Sequence, residues 1–119
     1  MSGEIKHTCT LSADKGNFSL ARQGKTLSVD MNGNGGATPG TVSVLVAGTT
    51  IDLSELTTPG IGIMTNLDTV NFVTFGGVTD QPFKLKAGEQ ASMRMNPGET
   101  LKMVADTAAC KVLIQFLED

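Results

Sequence analysis

A chain of 119 residues with a net charge of −3 has material for one hydrophobic core and is too short for two comfortable ones. Fourteen Gly, six Met and five Phe, with no Trp or Tyr, leave no aromatic platform on which a sugar or a base would stack. The negative charge argues against general attraction to a phosphate backbone, and two cysteines do not make a disulfide framework.

The opening MSGEIKHT lacks the apolar core of a signal peptide, and no run approaches the ~20 residues that span a bilayer. The expectation is a chain made in a cytosol, with no membrane partner, a disordered start at residues 1–3, and Cys9 and Cys110 reduced. In IKHTCTL, Ile5, Cys9 and Leu11 fall on one side, with His7 on the same parity. NFSLA and KTLSVDM follow, the latter alternating Leu27, Val29 and Met31.

DMNGNGG, Asp30 to Gly36, places Asp30, Asn32 and Asn34 at alternate positions, as in the first half of a calcium loop. A full loop ends on a bidentate Glu at its twelfth position, which here is Thr41, and its flanks are helices rather than strands. Asn-Gly pairs are also strong hairpin formers, since both residues tolerate positive φ. A turn is the better reading, with residues 32–40 as a flexible Gly-rich loop and calcium at Asp30, Asn32 and Asn34 as the weaker alternative.

TVSVLVAG keeps Val42, Val44 and Val46 in register, and TTIDLSEL does the same for Ile51 and Leu53. GIGIMTNLDTVNFVTFGG has apolar residues on both parities, so both faces are covered, either by the domain itself or by a partner. No Lys or Arg occurs from Thr26 to Phe83, while the first 25 residues hold four bases against two acids. Val44, Leu45, Ile61, Ile63, Phe72 and Phe75 in this base-free middle are the candidate partner contacts, and protein partners are favoured over nucleic acid.

The last third alternates most cleanly. Phe83 and Leu85 flank Lys84, Met93 and Met95 flank Arg94, Leu101 and Met103 flank Lys102, and Val112, Ile114 and Phe116 alternate with polar neighbours. An antiparallel meander with one wet face is expected, joined by turns at Ala87 to Glu89 and Asn96 to Glu99. About ten short strands punctuated by Gly, Pro and Asn predict an all-β fold, an antiparallel β-sandwich in a single domain over residues 1–119.

Catalytic chemistry finds little footing. One histidine, His7, cannot supply the several His and the Glu of a metal-dependent cupin, nor a Ser-His-Asp system. Asp52, Glu55 and Asp68 are the carboxylates a glycosidase pair would draw on, but a chain this short has no room for a deep cleft. Gly33-Asn34-Gly35-Gly36 is followed by no GK[ST] and no helix, so it is not a phosphate loop. No enzyme activity, cofactor or metal is expected.

TNLDTVNFVTFGG, followed by KLKAGEQASMRMNPGETLKMVADTAACKVLIQFLED, resembles a group of small virion structural proteins of tailed bacteriophages. In that group a phrase like "NLD-ATN-YV-xxG" precedes "KLKxGE", a run of β residues, "PGxTLxxxAD" and a C-terminal strand ending in acidic residues. The matching residues are Asn66, Leu67, Asp68, Asn71, Phe72, Val73, Lys84, Leu85, Lys86, Gly88, Glu89, Pro97, Gly98, Thr100, Leu101, Ala105 and Asp106. They span roughly the second half of the chain and are packing and turn types without chemistry of their own. The resemblance implies a jelly-roll-like sandwich built into a particle, by analogy a capsid cement or decoration protein on the outer shell surface. Its partners would be the major capsid protein and neighbouring copies of itself, as a dimer or trimer. A tail or head-fibre subunit and a host-encoded β-sandwich binding module are the alternatives.

Overall fold

Short runs rich in Val, Ile and Thr, cut by Gly, Asn and Pro, give strands throughout the computed structural model, which describes residues 4–22, 24, 26–31, 36–96 and 98–118. No helix occurs among them. In place of one sandwich running end to end, the chain forms two compact units, Met1–Asn32 and Gly33–Asp119.

The first unit is a long antiparallel hairpin in two ladders. Strand β1 (Ile5–His7) pairs with β4 (Leu27–Val29), and between them β2 (Leu11–Lys15) pairs with β3 (Phe18–Arg22). A two-residue connection at Gly16 and Asn17 closes the inner ladder, with Gly16 at φ +59°. Such a turn matches the right-handed twist of the strands only with positive φ, hence its Gly-Asn chemistry. Lys6 Nζ donates to Ser28 Oγ at 2.9 Å, and the Thr8 and Thr26 hydroxyls are 2.7 Å apart. Every residue of β2 and β3 is exposed.

The second unit is the sandwich. Its eight strands are β5 (Gly36–Val44), β6 (Thr49–Thr50), β7 (Pro59–Asn66), β8 (Val73–Gly76), β9 (Phe83–Leu85), β10 (Gln90–Arg94), β11 (Lys102–Ala105) and β12 (Cys110–Glu118). One sheet has the order β10-β7-β12-β5 and the other β6-β11-β8-β9, all pairs antiparallel. From β5 onward each successive strand crosses to the opposite sheet, except that β8 and β9 are neighbours in one sheet. That eight-strand, two-sheet alternation is a jelly roll.

Two expectations are corrected here. The last four strands are not a meander, since β9 and β11 lie in one sheet and β10 and β12 in the other. Their connections, at residues 86–89, 95–101 and 106–109, step across the sandwich instead of returning along one sheet. Residues 36–40, expected as loop, are the first half of β5, with Pro39 opposite Gln115. Proline is tolerated there because β5 is an edge strand. The rest of that loop, including Asn32 and Asn34, lies outside the described residues, as do residues 1–3.

Alternation decides the core. Cys110, Val112, Ile114 and Phe116 of β12 point inward with Val44, Met64, Val73, Phe75, Leu85 and Met103. All are buried, and burial of each such side chain contributes about 1.5–3 kcal/mol. Gly62 lies opposite Phe116, and a Cβ there would sit 2.3 Å from the Phe116 ring. Its missing side chain is what lets the largest core residue lie flat across β7.

Candidate interaction surface

Antiparallel pairing collects four connections at one end of the jelly roll: residues 45–48, 67–72, 86–89 and 106–109. The longest of these is held by Asn66, which is fully buried. Its Nδ2 donates to the carbonyls of Asn71 (3.0 Å) and Leu85 (3.2 Å), and its Oδ1 accepts from the Asp68 amide (3.0 Å). The Asn66 backbone takes part as well, donating to Glu89 O and accepting from Gly88 N. A buried amide must find partners for each of its groups; here it does so by tying β7, β9 and two connections together.

Asp68 orders the rest of the loop. Its Oδ2 accepts from the amides of Val70 (2.9 Å) and Asn71 (2.5 Å), an Asx-type turn. Thr107 Oγ1 donates to Asn71 Oδ1 at 3.0 Å, and Lys84 Nζ lies 4.1 Å from the centre of the Phe72 ring. The short turn at 86–89 closes with Gly88 at φ +79°, while Glu89 Oε1 accepts from Lys86 N at 2.8 Å. Leu45 O accepts from both Gly48 N and Ala105 N, which pins the first connection.

Accepting amide hydrogens from Asn71 and Val70 lowers the Asp68 pKa. A depressed carboxylate stabilises the fold fully above its unfolded pKa of about 3.9, and that contribution is lost as pH falls through the folded value. The expected result is a melting-temperature gap between wild type and Asp68→Asn that is largest near pH 6 and shrinks steadily toward pH 3. Circular dichroism melts across that range measure it; a gap independent of pH rules out the carboxylate as the anchor. Cys110 moves the other way, raised first by burial and then by the charges of Asp68 and Asp106. Its thiol donates to Ala108 O at 3.5 Å and is a structural group. Cys9 is a free, exposed thiol.

What this network presents to solvent is aliphatic. Val70 is 81% exposed, and Leu45, Val46 and Leu67 are each about half exposed. Four apolar side chains thus crown one end on hydrogen-bonded connections, each at least about half open to solvent, and exposed apolar surface of this kind marks interaction sites.

The six expected contact residues divide. Val44 and Phe75 are core residues, and Ile61 is buried too. Ile63 and Phe72 are half-buried, and only Leu45 is exposed. Alternation explains the split for the strand residues Val44 and Phe75, which occupy the inward parity of β5 and β8. Leu45 lies one residue past the end of β5. Val46, Leu67 and Val70 were missed because they follow strand ends, where period two no longer says which way a side chain faces.

The other candidates are scattered. Asp30 is exposed and its expected co-ligands fall outside the described residues; no cluster of three His, Cys, Asp or Glu occurs among the described ones. His7 is half-buried, with Nε2 3.6 Å from Cys9 Sγ. Asp52 and Glu55 belong to the connection between β6 and β7, at the end of the sandwich opposite Asp68. The backbone amide of Ser54 donates to Asp52 Oδ1. Compared with known protein families, characterised proteins and solved structures, the chain matches none.

Proposed function

We propose that this protein is a capsid cement or decoration protein of a tailed bacteriophage, binding the outer surface of the assembled shell through protein–protein contacts. The observation that carries the reading is the crest of Leu45, Val46, Leu67 and Val70, exposed aliphatics on connections held by the Asn66 and Asp68 hydrogen bonds. A rigid apolar surface of this kind loses little entropy on docking. Repeated over many copies, modest contacts sum to firm attachment. The residues of the phage-like phrase support the same reading, since Asn66, Asp68, Asn71, Phe72, Lys84, Gly88, Glu89 and Asp106 all serve the scaffold beneath that crest. A jelly roll by itself names no function.

Quantitative mass spectrometry of purified particles of the encoding virus tests this. Hundreds of copies in fixed ratio to the major capsid protein are expected, and Leu67→Asp with Val70→Asp is expected to melt as wild type yet leave the particle. A few to a few dozen copies move the protein to the tail or head fibres. Absence from the particle ends the virion reading and leaves a β-sandwich binding module.

A further inference from the structure

We draw no further inference here: the strongest candidate, the apolar groove of about 410 Å³ in the sandwich between Phe75, Phe83, Met93 and Met95, carries one base and one acid on its lining, Arg94 and Glu99, and nothing in the structure shows what covers it.

Discussion

Ile114→Asp is expected to abolish the folded sandwich at neutral pH. Ile114 is fully buried, midway along β12 and paired on its two sides with Gly40 and Met64. The substitution forfeits about 1.5–3 kcal/mol of apolar burial. It also places a carboxyl where its ionised form is not tolerated. Raising that group's pKa by roughly 3 units to keep it neutral costs about 4 kcal/mol at pH 7. Together these approach the whole stability of a small domain, about 5–15 kcal/mol. The burial penalty grows with pH above the unfolded carboxylate pKa, so the variant should be less destabilised at pH 4 than at pH 7. Gln115→Asp, one residue along on the exposed face, should stay within about 0.5 kcal/mol of wild type. Urea denaturation of the two variants decides the matter; an Ile114→Asp protein with a normal midpoint means the faces of β12 are reversed.

The second large effect is expected at Asn66. Asn66→Ala removes two donors and one acceptor at once and strands the Leu85 carbonyl in the interior. An unsatisfied buried polar group costs about 1–3 kcal/mol, and water can reach the Asp68 and Asn71 partners at the loop, so a total of roughly 3 kcal/mol is expected. Hydrogen exchange gives a sharper reading than the midpoint alone. The amides of Asp68, Val70 and Asn71 should lose protection well before those of β12. Under the shell reading this variant also binds particles more weakly at temperatures where it is fully folded, because the crest has lost its scaffold. Uniform loss of protection across both sheets would instead make Asn66 a general core residue with no special hold on the loop.

Much of this was legible without coordinates, for a definite reason. Period-two alternation reports which residues of a strand share a face, and it marked Leu85, Leu101, Met103, Val112, Ile114 and Phe116 as core before any fold was known. All six are buried. The same alternation marked Val44, whose burial was one of the two readings open for the apolar middle. It also placed Leu11 on one side with Ile5 and Cys9, and there it misleads: Ile5 is buried while Leu11 and Cys9 are exposed.

By itself, then, the sequence determined the all-β class, most of the strand positions and the inward parity of β12, because these depend on local backbone geometry and on neighbours two residues apart. Tertiary structure alone decided which strands pair. Alternation is identical whether β9 to β12 form a meander or cross between two sheets, and only their long-range partners in β5, β7 and β8 separate the two. It decided also that a buried Asn66 would gather Asn71, Leu85 and Asp68. Hydrogen bonds between β7, β9 and the 67–72 connection leave no period in the chain from which to read them.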